Sequence, residues 1–66
     1  METINLNSSS ISTASYENGV MTLTFVGGRS YAYTVSESVF RGLVTAPSAG
    51  RFFSTNVRSQ FTGTLV

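Results

Sequence analysis

Sixty-six residues leave room for one domain spanning 1–66 and for no second one. The chain has no cysteine and no histidine, which excludes a disulfide framework and argues against a structural zinc site, the usual supports of so small a core. Four arginines against three glutamates give a net charge of +1, too little for nonspecific duplex DNA binding, which draws on many phosphate contacts.

In chain order, Ile4 and Leu6 alternate with Thr3 and Asn5, the pattern of a short edge strand or of an arm reaching a neighbouring subunit. Ser8-Ser9-Ser10 reads as loop. From Ile11 to Val35, the dipeptides Asn18-Gly19 and Gly27-Gly28 separate runs rich in Thr, Val, Phe and Tyr. Both dipeptides tolerate the positive φ of two-residue hairpin loops, so a three-stranded antiparallel meander is predicted over 10–17, 20–26 and 29–35. With Gly27-Gly28 as the loop, Val26 pairs with Arg29, Phe25 with Ser30 and Leu23 with Ala32. Met21, Leu23 and Phe25 then share a face with the small residues Ser30, Ala32 and Thr34, leaving space for a helix. Tyr31 and Tyr33 fall on the opposite face beside Thr22, Thr24 and Val26. There they suit an interface or a ligand platform, although aromatic and β-branched neighbours also pair in ordinary sheets.

Ser36 has the character of an N-cap, and Glu37 complements the helix dipole in the first turn. Val39, Phe40, Leu43 and Val44 form one apolar stripe. Pro47 ends the helix within a residue or two. Ser48 is placed to cap a shorter helical stretch through Arg51, Phe52, Phe53 and Asn56, and 62–66 is a candidate final strand. The fold class is therefore α+β: a three-stranded antiparallel meander with a helix packed on one face, then a short helical segment and a candidate C-terminal strand.

The charged fraction of 11% is less than half the usual roughly 25%. A surface made of Ser, Thr and Asn is weakly protected against contact with its own kind, so a homo-oligomer, a dimer or tetramer, is expected. No run approaches the roughly 20 apolar residues that span a bilayer. No basic region followed by an apolar stretch opens the chain. A cytoplasmic location without membrane contact is expected.

Most enzyme mechanisms fail on inventory, because the chain has no His, Lys, Cys or Asp. No serine has a nearby base to activate it. Glu37 is explained by the helix start and Glu17 by the hairpin, and metal ligands are lacking. No catalysis, cofactor or metal is expected. Gly27-Gly28-Arg29 lacks the ending of a phosphate-binding P-loop and reads as a hairpin turn.

The densest set of potential ligand groups is Ser48-Ala49-Gly50-Arg51-Phe52-Phe53-Ser54-Thr55-Asn56-Val57-Arg58. If it is helical, Arg51 and Arg58 lie two turns apart on one side, and Phe52 and Phe53 cannot both point inward. The alternative is that Phe52 and Val57 finish the core while the arginines are solvated.

The order of residues resembles the KTSC domain, a short domain found alone in bacteria and phages and sometimes appended to larger proteins. The likeness covers nearly the whole chain. It runs through Ser9-Ser10-Ile11 with Tyr16, Leu23-Thr24-Phe25 leading to Gly28, Tyr31-Ala32-Tyr33, Val39-Phe40 with Leu43, and Ser48-Ala49-Gly50-Arg51-Phe52-Phe53 with Asn56-Val57-Arg58. Ser54 stands where that family usually has Asn, Phe61 where it usually has Tyr, and the N-terminal Lys-Thr is missing. The resemblance implies an α+β fold and brings no general biochemical activity with it.

Two functions compete. The first is a phage-encoded sponge that sequesters an anionic cyclic nucleotide immune signal at subunit boundaries. Arg51, Arg58 and Arg41 would meet the phosphates, and Tyr31, Tyr33, Phe53 and Asn56 would recognise the bases. The second is an adaptor that binds and regulates a host enzyme such as RNA polymerase through an apolar, uncharged surface. Single-stranded nucleic acid binding ranks last, because four arginines make a poor electrostatic groove.

Overall fold

The computed structural model describes residues 2–66. The meander forms between Ile11 and Thr34, and both ends of the chain extend it. Strands β1 (Glu2–Asn5), β2 (Ile11–Glu17), β3 (Val20–Phe25) and β4 (Ser30–Thr34) are followed by helices α1 (Glu37–Thr45) and α2 (Ala49–Phe52). A π-helical turn (Phe53–Val57) and strand β5 (Thr64–Leu65) complete the fold. The five strands form one antiparallel sheet in sequential order, with β1 and β5 as its edges. The chain is thus α+β, and the short N-terminal segment takes the edge-strand alternative.

The first hairpin closes as its sequence predicts. Glu17 pairs with Val20, and Asn18 and Gly19 take φ of 53° and 81° between them. Positive φ at both central residues is the requirement of a type I′ turn.

The second hairpin departs from the predicted register by one residue. Thr24 faces Ser30, Leu23 faces Tyr31 and Met21 faces Tyr33. The Phe25 N–H donates to the Arg29 carbonyl at 2.7 Å and the Gly28 N–H to the Phe25 carbonyl at 2.9 Å, so Val26-Gly27-Gly28 is a three-residue loop. Gly27 and Gly28 both occupy positive φ, at 113° and 100°. A slip of one residue exchanges the faces of a strand. Tyr31 and Tyr33 therefore lie on the core face with Met21, Leu23 and Phe25, and Ser30, Ala32 and Thr34 join Thr22 and Thr24 outside. This corrects the platform of exposed tyrosines. The physical reason is burial: the observed register places two large rings, rather than three small side chains, beneath the helices.

A bulge makes a similar adjustment in β2. Ile11 pairs with Phe25 but Thr13 with Thr24, leaving Ser12 as the extra residue. Ile11 and Ala14, an odd number of positions apart, are consequently both fully buried.

Helix α1 seats Phe40 and Leu43 in the core, with Val39 and Val44 half-buried at its margins. Phe40 stacks on Tyr16 with ring centroids 5.3 Å apart. The Tyr16 hydroxyl donates to the Val35 carbonyl at 2.9 Å, fixing the strand-to-helix junction. Ser36 occupies the N-cap position, but its hydroxyl pairs with that of Ser38 at 2.9 Å and caps no backbone amide. The nearby hydroxyl competes with the cap. Ala46 is extended, with ψ of 143°, as a residue before proline must be. Ser48 does cap: its Oγ accepts from the Arg51 N–H at 3.3 Å. Phe52 rests across Gly42, where an added Cβ would fall 2.7 Å from the ring tip. Phe40, Ile11, Met21, Leu23, Leu43 and Val57 are the largest fully buried side chains, each worth roughly 1.5–3 kcal/mol in burial.

Candidate functional site: an aromatic pocket with two arginines

Helix α1 sits over Tyr16 and β2, and the π-turn packs on the core face near the β3–β4 loop, where Phe53 meets Phe25 and Tyr33. A pocket of about 420 Å³ opens there. Its floor is aromatic: Phe25, Tyr31, Tyr33 and Phe53 all line it. Phe53 meets Phe25 and Tyr33 edge-on, with centroids 5.3 and 5.6 Å apart, and Phe25 meets Tyr31 in the same manner at 5.9 Å. Tyr33 and Phe53 are buried, whereas Phe25 and Tyr31 are half-buried and offer ring surface to a ligand.

Two arginines complete the lining. Arg29 follows the glycine loop, and Gly27 and Val26 line the pocket beside it. Arg58 follows the π-turn, its N–H donating to the Phe53 carbonyl at 2.8 Å. Burial pushes the Tyr33 phenol above its ordinary pKa, the neighbouring Tyr31 adds to this, and the positive charge of Arg58 opposes it. Tyr33 is thus a neutral hydroxyl at physiological pH. No carboxylate is among the lining residues. Glu37 pairs instead with Arg41 on the exposed side of α1 at 3.0 Å.

Of the seven residues singled out from the sequence, Arg58, Tyr31, Tyr33 and Phe53 come together in this pocket. Arg41, Arg51 and Asn56 lie outside its lining. Arg51 is exposed on α2, and Asn56 turns its amide back to the Phe52 carbonyl at 3.3 Å. The expectation that Arg51 and Arg58 share a side assumed α-helical spacing. The π-turn between them adds a residue to the winding, and Arg58 reaches the pocket without Arg51.

Sequence reasoning missed Arg29 and Phe25. The signal was present: Arg29, Tyr31 and Tyr33 alternate along one strand and so share a face. A second pocket of about 270 Å³ lies between β1 and the end of α1, lined by Ile4, Leu6, Leu43, Val44 and Pro47 among others. No charged side chain lines it.

Among the described residues, no group of three metal-ligating side chains occurs, and no helix is long and apolar enough to cross a membrane. The fold defines a small α+β domain with one antiparallel sheet and its helices on one face. The family model of the KTSC domain matches residues 7–61, and the chain belongs to that family. All the residues that line the aromatic pocket fall within the match. So does the approach of Gly50 to Ser10, where a Cβ on Gly50 would fall 2.5 Å from the serine Oγ. No curated protein matches the chain.

Proposed function

We propose that this KTSC domain is a non-enzymatic binding protein whose aromatic pocket takes an anionic nucleotide. The observation that carries the reading is the pairing of Arg29 and Arg58 with four aromatic side chains and no carboxylate in one lining. Aromatic faces accept any base by stacking, and guanidinium groups match phosphate oxygens in a planar fork. A volume of about 420 Å³ lies within the usual roughly 300–1,000 Å³ of small-molecule sites and suits one nucleotide unit. The pocket supplies no general base: its titratable side chains are arginines and tyrosines, and Tyr33 holds its proton more tightly than a free phenol.

The biological form of this reading is a sponge. A homo-oligomer presents several such pockets, and the two halves of a cyclic dinucleotide engage pockets of two chains. In a phage-encoded protein this sequesters a host immune signal in the cytoplasm. The adaptor reading receives less support. The outer sheet face carries Thr22, Thr24, Ser30, Ala32 and Thr34, without the large aromatic anchors on which protein interfaces depend.

Native mass spectrometry of the protein, alone and with a panel of cyclic nucleotides and mononucleotides, tests the proposal. Uptake of a fixed number of nucleotides, lost in Arg29→Ala and Arg58→Ala and retained in Arg51→Ala, is the expected result. Absence of uptake across the panel overturns it and returns the adaptor to first place.

A further inference from the structure

The hydrogen-bonding inventory of the pocket is one-sided. Its polar side chains are Arg29, Arg58, Tyr31 and Tyr33. Each guanidinium offers five N–H donors and no acceptor, while a phenol offers one of each kind. No Asp, Glu, Asn, Gln, Ser or Thr side chain is among the lining residues. Donors therefore greatly outnumber acceptors, and the few acceptors are phenol oxygens and the backbone of the loop.

A nucleotide presents two acceptor-rich regions to such a wall. The phosphate is one, and a base whose exocyclic groups are carbonyls is the other. Cytosine, at C4, and adenine, at C6, each carry an exocyclic amino group. Set against guanidinium groups, that amino group meets a donor where it needs an acceptor, and it forfeits a hydrogen bond that a carbonyl would make. Uracil and hypoxanthine carry a carbonyl at the corresponding position, and a carbonyl accepts from Arg58.

The two arginines enter from different elements, which divides the work. Arg29 extends from the end of the glycine loop, where the absence of side chains at Gly27 and Gly28 leaves room for a phosphate. Arg58 stands beside the aromatic floor, lining the pocket together with Phe53, Tyr31 and Tyr33. On the reading of the pocket as a nucleotide site, we infer that it selects oxo bases, uracil or hypoxanthine, over amino bases, with Arg58 reading the base edge and Arg29 holding the phosphate.

The test uses two near-isosteric pairs measured by calorimetric titration of the whole protein. Uridine monophosphate is compared with cytidine monophosphate, and inosine monophosphate with adenosine monophosphate. The oxo member of each pair is expected to bind roughly tenfold more tightly, the effect of one forfeited hydrogen bond. Arg58→Gln supplies an amide carbonyl at the base edge and is expected to narrow or reverse both ratios. Arg29→Ala is expected to weaken all four ligands alike. Thermal melts of both variants establish that they fold. Equal binding within both pairs, or preference for the amino base, overturns the selectivity and leaves the nucleotide site standing. Failure of all four to bind overturns both. Ratios unchanged in a folded Arg58→Gln overturn the role of Arg58.

Discussion

The ring of Phe53 meets that of Tyr33 edge-on, with centroids 5.6 Å apart and planes 76° from parallel. Phe53 makes the same kind of contact with Phe25, so one side chain from the π-turn ties that turn to both β3 and β4. Phe53→Ala is expected to lower stability by about 3–5 kcal/mol. That is a large share of the roughly 5–15 kcal/mol that holds most domains together. Phe53→Leu, which keeps most of the volume, is expected to cost about 1.5 kcal/mol or less. Urea unfolding of the two variants separates volume from ring identity. Equal losses would show that the edge contacts matter beyond packing.

Tyr33 gives stability a dependence on alkaline pH. Its phenol pKa is raised in the folded chain, chiefly by burial, so the folded state holds that proton more tightly than the unfolded state does. The contribution is complete below the unfolded value near 10.0 and is lost as pH rises through the higher folded value. Urea midpoints are expected to stay level through neutral pH and to fall above about pH 10. Tyr33→Phe should flatten that fall. An unchanged slope in the variant would show that Tyr33 is not its source.

Removing the Tyr16 hydroxyl isolates a single hydrogen bond. Tyr16→Phe abolishes the 2.9 Å bond to the Val35 carbonyl and keeps the stack on Phe40. A loss of about 1 kcal/mol is expected from chemical denaturation. A loss near zero would mean that water replaces the phenol at the strand-to-helix junction.

The two serines at helix starts should behave differently despite their similar sequence setting. Ser48 accepts from the Arg51 N–H, so Ser48→Ala is expected to cost about 1 kcal/mol. Ser36 makes no cap bond with its side chain, so Ser36→Ala should change stability by only about 0.5 kcal/mol or less. Paired melts of the two variants check the order, and a reversed order would mean that Ser36 caps α1 in solution.

Much of the fold is legible in the sequence because its signals are local. Asn18-Gly19, the stripe from Val39 to Val44, Pro47 and the Ser48 cap each act within a turn of chain. The inward face of β3 was legible, but the faces of β4 were not, because they depend on whether the second loop contains two residues or three. Gly27-Gly28 satisfies the conformational demand of either length, and only the packing of Tyr31 against Phe25 and of Tyr33 against Phe53 decides between them. The same step governs the site. Once the tyrosines are placed on the core face, Arg29 falls in line with them. Arg58, by contrast, was found from its neighbourhood of aromatics and glycine. Its separation from Arg51 was hidden because no local residue pattern announces a π-turn.

The aromatic floor carries one more consequence. Phe25, Tyr33 and Phe53 line the pocket and also belong to the packed interior or its margin. A guest seated on them rests on groups that converge only when the chain is folded. Occupancy and folding are then linked by mass action, and a ligand at a hundredfold excess over its Kd adds about 2.7 kcal/mol to stability. For a chain of this size that increment should be visible as a rise in melting temperature. The protein's own unfolding then reports on what it holds, with no label and no knowledge of the partner in advance.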